Sequence, residues 1–205
     1  MYPSEEDRIR IRRLTDALAA YTPSDEAERL AVPRLLAGLS ASPETVFTRN
    51  NTQEHFTASA WIVNPSRDKI LMVFHNLFRA WSWTGGHADG ETDLLAVAIR
   101  EASEESGLTR LTPVTEDIFS VEVLHIPPHE KHGRPVAPHV HLNCTYLLEA
   151  DDTEPLRVKP DENSAVAWFP TEAGIAASTE PEMQVIYCKL AAKAERFRPP
   201  RRDNP

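Results

Sequence analysis

The stretch "GGHADGETDLLAVAIREASEESGL", residues 85–108, decides the fold that this sequence predicts. Glu101, Glu104 and Glu105 are spaced so that they share one face of a helix, and Arg100 stands beside them. Residues three and four apart are neighbours on a helix surface, and like charges placed there repel one another. The pattern therefore predicts that a positive charge lies over this face.

The ends of this helix are marked by the sequence. Gly85 and Gly86 allow a close backbone approach that a side chain would block. The helix is expected to start near Thr92 or Asp93, and Gly107 is the kind of residue that commonly ends one. The first turns are apolar and are expected to be buried, so only the last two turns present the glutamates.

The glutamates indicate a site for a hard divalent cation. Carboxylate oxygens suit Mg²⁺ or Mn²⁺, which also take phosphate oxygens. A cation that bridges carboxylates and a diphosphate polarises phosphorus and lowers the pKa of a bound water. Three glutamates alone would indicate only a solvated helix face; their fixed offsets from the paired glycines, the arginine and Gly107 favour a functional site.

The stretch resembles the signature box of the Nudix hydrolase family, which is a glycine, a glutamate, then Arg-Glu, Glu-Glu and Gly. The resemblance is strongest in the box, extends more loosely over strands between residues 56 and 170, and leaves residues 1–50 unexplained. The matching positions are Gly86, Arg100, Glu101, Glu104, Glu105, Gly107 and the apolar Leu108.

One position departs from the family pattern. The family's first glutamate falls on Thr92, and Glu91 lies one place earlier. Arg100 is expected to pair with an acidic group of the loop in a fork geometry, and Glu91, Asp89 and Asp93 are the candidates.

The resemblance implies a metal-dependent hydrolase that cleaves a pyrophosphate bond in a nucleoside diphosphate linked to another group. The metal would be Mg²⁺ or Mn²⁺, and Glu101 is the candidate for orienting or deprotonating the attacking water, with Arg100 beside it. Some family members place this base on a later loop, where position alone suggests Glu162. The metal ligands implied are Glu101, Glu104 and Glu105, with a backbone carbonyl at Gly85 or Gly86.

Two alternatives from other classes remain. The altered loop around Glu91 favours a Nudix fold that binds a nucleotide or a protein without catalysis. An enzyme similar to isopentenyl-diphosphate isomerase would need a catalytic cysteine opposite a glutamate, and Cys144 has no evident partner in the sequence.

The rest of the chain predicts an α/β (α+β) fold: a Nudix-type α/β/α sandwich with a mixed sheet, preceded by a helical extension. Two β-branched runs around "PSRD" predict a hairpin, and three more strands and a terminal helix follow the box. Residues 1–50 are expected to form the extension, with a second helix that Pro33 breaks or restarts. Residues 51–195 are expected to form the hydrolase domain, and 196–205 a disordered tail.

Composition limits the partners. The 205 residues carry a net charge of -9, with 22 basic and 31 acidic residues, which argues against general binding to nucleic acid or membrane surfaces. Two distant cysteines and a charged start without an apolar core indicate a soluble, cytoplasmic protein with reduced thiols. The expected partner is a small nucleotide derivative, and the N-terminal helices are candidates either for covering the pocket or for forming a homodimer.

Two further groups of residues have simpler interpretations. His139 and His141 share one side of a strand, and with nearby histidines they could bind zinc, but no cysteine or carboxylate spacing completes such a site. Trp81 and Trp83 could stack on a base, although aromatics at this period more often belong to the core. The nearby histidines are His125, His129 and His132.

Overall fold

The computed structural model describes residues 4–131 and 133–198. The chain divides into two compact units. The first contains the chain up to Ser59, Gly85–Ala98 and Glu116–Tyr146, and the second contains Ala60–Thr84, Ile99–Thr115 and the chain from Leu147. Strands β1 (Glu54–Val63) and β9 (His139–Glu149) and helix α3 (Leu94–Ser106) contribute residues to both units.

The N-terminal extension is helical in the first unit. Ser4 accepts a hydrogen bond from the backbone of Asp7, whose carboxylate bonds back to Ser4, so a capping box starts the first helix. Asp25 caps the second helix through the backbone N–H of Glu28. The five α-helices of the described chain are α1 (Glu5–Ala20), α2 (Glu26–Ala41), α3 (Leu94–Ser106), α4 (Thr171–Ala177) and α5 (Pro181–Ala194).

Strands occupy most of the remaining chain. They are β1 (Glu54–Val63), β2 (Lys69–His75), β3 (Ala80–Ser82), β4 (Thr84–His87), β5 (Thr112–Pro113), β6 (Ser120–Ile126), β7 (His129–Lys131), β8 (Arg134–Val136), β9 (His139–Glu149) and β10 (Asn163–Pro170).

In the first unit, β4 and β9 both lie next to β1. β6 pairs antiparallel with β9, from Ser120 opposite Thr145 to Ile126 opposite His139. Helix α2 packs against β6 and α1 packs against α2, so the extension covers this strand pair. The apolar centre of the unit includes the fully buried Leu18, Leu35, Phe56 and Leu142.

A buried polar network also lies in the first unit. Thr57 and Ser59 donate to the Asn143 side-chain oxygen at 2.9 and 3.0 Å. The Asn143 amide nitrogen donates to Glu122 at 2.9 Å and to Thr145 at 3.1 Å. Asn143 therefore uses both of its donors and both acceptor positions inside the protein, which a buried amide requires.

In the second unit, the strand order is β10-β2-β1, with β3 also on β2 and β5 on β9. The β1–β2 hairpin places Val63 opposite Ile70, as the sequence predicts. The centre of this unit is aromatic: Trp61 stacks on Tyr187 at 5.5 Å, and Trp83 meets the same ring edge-on.

The α/β (α+β) class is confirmed, and the sheet is mixed. The β2, β6 and β10 pairings are antiparallel. Backbone bonds join residue 140 to 53 in the first unit and 150 to 63 in the second, and this constant offset shows that β1 and β9 run parallel.

Three details differ from the sequence-based expectation. α2 continues through Pro33 because the apolar side chains around it, Ala31 and Leu35, are buried and hold the helix. The Pro- and His-containing loop forms the hairpin of β7 and β8. The start of the expected tail lies in a 3-10 turn, Glu195–Phe197, and residues 199–205 lie outside the described residues.

No helix in the described part of the chain is both long enough and apolar enough to cross a membrane.

Candidate catalytic and metal site

The three box glutamates lie on the last turns of α3, in the second unit. Their exposure differs: Glu101 and Glu105 are 8% and 2% exposed, whereas the Glu104 side chain is 43% exposed. The carboxylates therefore follow the helix end from its buried side to its solvent side. This carboxylate surface is therefore open to solvent only at Glu104.

Positive charge lies over this surface. Arg100 contacts Glu101 at 2.6 Å and Glu104 at 3.8 Å. Lys159 places its ammonium group 2.7 Å from Glu104 and 3.0 Å from Glu162. The positive charge expected from the repulsion argument is thus present, and Glu162 shares a lysine with a box glutamate.

The loop that carries Lys159 is fixed to the end of α3. Asn163 donates from its side chain to the backbone oxygen of Glu105 at 2.9 Å, and Arg157 donates from its backbone to Ser106 at 2.8 Å. Gly107 has a φ of +77°, and a Cβ there would lie 2.7 Å from the Cβ of Arg157. Gly107 therefore both ends the helix and lets this loop approach.

The electrostatics of Glu101 reflect its burial. Loss of solvent raises the pKa of Glu101, the neighbouring carboxylates Glu104 and Glu162 raise it further, and Arg100 and Lys159 lower it. The pKa of Glu101 thus depends on charged groups of both α3 and the later loop.

Sequence reasoning did not find Lys159 or Asn163. The signal available was the segment "KPDEN", in which Lys159 stands three residues before Glu162. What the sequence could not show is that the side chain of Asn163 and the backbone of the nearby Arg157 bond to the end of α3.

The loop before α3 belongs to the first unit. A Cβ at Gly85 would lie 2.6 Å from the Ser59 hydroxyl and 2.7 Å from the Ala58 carbonyl, so only glycine fits beside β1. Gly86 follows in the same strand, β4, and is partly exposed.

The loop carboxylates that were candidates for Arg100 have partners within their own unit. Glu91 accepts from Arg10 at 2.8 Å and from the backbone of Asp93, and Asp89 pairs with Arg49. Asp93 accepts from the backbone N–H of Ala96 and caps the helix. Arg100 lies in the second unit, where it contacts Glu101 and Glu104. Its pairing with a carboxylate of the loop stays a prediction.

Four histidines come together in the first unit: His55, His87, His139 and His141. Their ligand atoms lie within 4.8 Å of one another, and within the described residues they form the one such group of metal-ligating side chains. Among the described residues, the three box glutamates do not form such a group. Sequence reasoning paired His139 and His141 correctly but missed His55 and His87, which come from distant strands.

The other histidines considered do not join this group. His125 is exposed, His129 lies at the edge with its ring 5.9 Å from that of His139, and His132 lies outside the described residues. Trp83 is buried in the core, as the simpler interpretation has it, whereas Trp81 is only partly buried and packs edge-on against Phe169 at 4.8 Å.

Comparison with known proteins defines the class. The NUDIX domain matches residues 53–190. A curated relative, the m7GpppN-mRNA hydrolase NUDT17 of Xenopus laevis, is 35% identical over 112 residues, which is 52% of this chain and 36% of that protein. The chain thus spans about a third of the curated relative that it matches.

Solved structures share the fold. An Ap4A hydrolase of C. elegans in a binary complex has a TM-score of 0.50 and 23% identity, covering 69% of this chain and 96% of that one. The dihydroneopterin triphosphate pyrophosphohydrolase of E. coli also has a TM-score of 0.50, with 16% identity over 68% of this chain and 96% of that one.

The protein is therefore an α/β protein with a Nudix-type box on α3. This chain belongs to the NUDIX domain family.

Proposed function

We propose that this protein is a metal-dependent hydrolase that cleaves a pyrophosphate bond in a nucleoside diphosphate linked to another group. The observation that carries the proposal is the cluster at the end of α3, where Glu104 and Glu162 share Lys159 and Glu101 lies nearly one helical turn earlier, on the buried side. Membership of the NUDIX domain family supports the same reading of these residues.

The residues fit a hard divalent cation. All the donors are carboxylates, and the free cluster already attracts the ammonium group of Lys159. We assign Glu101, Glu104 and Glu105 as ligands. When bound, Mg²⁺ or Mn²⁺ would neutralise pyrophosphate oxygens and acidify a water molecule.

The chain's own residues handle the proton. As water attacks one phosphorus, a new P–O bond forms and the bridging P–O bond breaks, its electron pair leaving on the bridging oxygen. The proton of the water passes to a carboxylate, for which Glu101 is the first candidate and Glu162 the second. Arg100, 2.6 Å from Glu101, positions that carboxylate.

Relatives suggest where to look for the substrate. The NUDT17 relative is named as an mRNA cap hydrolase and the C. elegans neighbour as an Ap4A hydrolase. Both names describe nucleosides joined through a phosphate chain to a second group. We propose that the substrate of this protein has the same chemistry.

The test is a substrate panel. Diadenosine tetraphosphate, a cap dinucleotide, nucleoside triphosphates, a sugar nucleotide, NADH and coenzyme A are incubated with Mg²⁺, with Mn²⁺ and with EDTA, and mononucleotide and phosphate release are measured. Cleavage of at least one compound that stops in EDTA is expected. Tight binding by calorimetry without turnover would identify a binding module and overturn the proposal.

The burial of Cys144 argues against the isomerase alternative, which needs a reactive thiol. Cys144 is fully buried, and burial together with Glu122 raises the pKa of its thiol. Adding an allylic diphosphate to the panel tests the remaining possibility directly.

We further propose that residues 1–50 are an extension of a domain spanning 51–195. Arg10 on α1 bonds to Glu91, and Asp7 accepts from the Thr92 hydroxyl at 3.0 Å, so the extension braces the loop that precedes the box helix. This favours a role inside one chain over homodimer formation. Both cysteines are free, which suits a cytoplasmic location.

A further inference from the structure

Three neighbouring strands of the first unit bring four imidazoles together. β4 and β9 both lie next to β1, and these strands supply His87, His55 and the pair His139 and His141. Side chains two apart on a strand share a face, so His139 and His141 of β9 meet His55 of β1 and His87 of β4 at one place. The ring of His55 is 5.1 Å from each of the other three rings.

Two of these rings are held with a nitrogen available. Nδ1 of His55 lies 2.9 Å from the Asn51 carbonyl, and Nδ1 of His139 lies 2.9 Å from the Ala137 carbonyl. A carbonyl only accepts, so each Nδ1 carries the hydrogen and each neutral ring keeps its lone pair on Nε2. This is the arrangement in which a backbone carbonyl orients a metal-binding histidine.

The position of His55 points to a ligand. Its side chain is only 4% exposed, and its Nε2 is buried without a hydrogen-bond partner among the described residues. An orphaned buried polar atom is costly, and it is rare in native proteins. A metal bound to this nitrogen would satisfy it.

The distances suit one ion. Nε2 of His139 and Nε2 of His141 are 3.1 Å apart. Zn–N bonds of 2.0–2.1 Å in a tetrahedron place the ligand nitrogens about 3.3 Å from each other. The widest separation in the cluster, 4.8 Å, then requires an approach of only about 1.5 Å, which side-chain rotation supplies.

We propose that His55, His87, His139 and His141 bind Zn²⁺ or a related first-row transition-metal cation. Imidazole nitrogens suit these ions, whereas Mg²⁺ prefers oxygen. Four protein ligands close a tetrahedral site, so the ion ties β4, β1 and β9 together and takes no substrate. The site shares no ligand with the carboxylates of α3 and does not depend on the proposed hydrolase activity.

The first experiment measures the metal on the full-length protein. Chain purified without an affinity tag is stripped with a chelator and titrated with Zn²⁺ by calorimetry, and bound zinc is counted after desalting. One equivalent per chain is expected. At a hundredfold excess over Kd, the Tm should rise by roughly 5–10 °C. Less than a tenth of an equivalent, with no change in Tm, would overturn the proposal.

Variants then assign the ligands. His139→Gln combined with His141→Gln should abolish stoichiometric zinc binding. The control is His125→Gln, because His125 is exposed and stands opposite Val140, on the other face of the sheet from the cluster. A second variant, Glu104→Gln, should retain one equivalent. Zinc that is lost in Glu104→Gln but kept in the histidine double variant would place the ion on the carboxylates and refute the proposal.

Spectroscopy keeps the proposal testable if the double variant does not fold. X-ray absorption of the zinc-loaded wild-type chain should show nitrogen ligands at about 2.0 Å from the zinc, together with the outer scattering that is typical of imidazole rings. Oxygen-only coordination would contradict a histidine site.

Discussion

The ammonium group of Lys159 lies 2.7 Å from the carboxylate of Glu104. This contact joins the loop before β10 to helix α3. Lys159 also lies 3.0 Å from the carboxylate of Glu162. Without a bound cation, Lys159 thus reduces the repulsion between the carboxylates of Glu104 and Glu162. A bound divalent cation would have the same effect.

Replacing this lysine should make the fold depend on the cation. Lys159→Gln leaves the carboxylates facing one another, so the free energy of unfolding in EDTA should fall by about 1 kcal/mol. Added Mg²⁺ should restore it and bind more tightly than to wild type, because a competing charge has gone. Thermal unfolding with and without Mg²⁺ measures both effects.

The matched control is Lys69→Gln. Lys69 pairs with Asp152 at 2.6 Å, and neither residue belongs to the box. Its loss of stability should be unaffected by Mg²⁺. An equal response of both variants to Mg²⁺ would show that Lys159 does not compete with the ion.

The carboxylates themselves should be needed for turnover. Glu104→Gln keeps the shape of the side chain and removes its charge, so kcat/KM for the best substrate should fall at least about 100-fold while the Tm changes little. Glu172→Gln, an exposed glutamate on α4, is the control and should leave turnover unchanged. Unchanged turnover in Glu104→Gln, and likewise in Glu105→Gln, would show that the ligands are assigned wrongly.

The buried amide of Asn143 should matter for stability. Asn143→Ala removes four hydrogen bonds and leaves Glu122, which is 5% exposed, without its amide donor. Unsatisfied buried polar groups are costly, so we expect a loss of about 2–4 kcal/mol in urea unfolding. Exposed Asn76→Ala on a surface loop is the comparison. A loss below about 0.5 kcal/mol would mean that the network rearranges.

Much of this could be predicted from local sequence, and the remainder depends on distant segments. Periodicity predicted the β1–β2 hairpin, and fixed spacing predicted that α3 ends in carboxylates, because both are set by neighbours along the chain. Lys159 reaches Glu104 only because Asn163 and Arg157 bond its loop to the helix end. His55 and His87 join His139 only because strands far apart in sequence become neighbours.

The same reasoning applies to the loop before the box helix, whose partners the sequence did not predict. Thr92 donates to Asp7, and Glu91 binds Arg10, so residues of the N-terminal extension supply these contacts. A pattern confined to the box cannot reveal a partner outside the family domain.

The two cysteines should react differently. Cys144 is buried and its thiol pKa is raised by burial, whereas Cys188 is exposed on α5. Native protein should therefore take up one equivalent of a thiol reagent, and denatured protein two. Cys188→Ser should abolish the native reaction, and Cys144→Ser should leave it intact. Rapid modification of native Cys188→Ser would show that Cys144 becomes accessible.

The capping box should give the stability a dependence on pH. Hydrogen bonds from the Ser4 side chain and backbone, and then from Thr92, lower the pKa of Asp7 below its ordinary value of 3.8. The folded state thus favours the carboxylate, so its contribution is fully present above the ordinary pKa and is lost as the pH falls through the lower folded value. Asp7→Asn should lower the Tm at neutral pH, and its difference from wild type should shrink as the solution becomes more acidic than pH 3.8. Asp16→Asn, exposed on the same helix, is the control for charge removal alone. A Tm difference for Asp7→Asn that stays constant across the acid range would show that the hydrogen bonds of the carboxylate do not stabilise the fold.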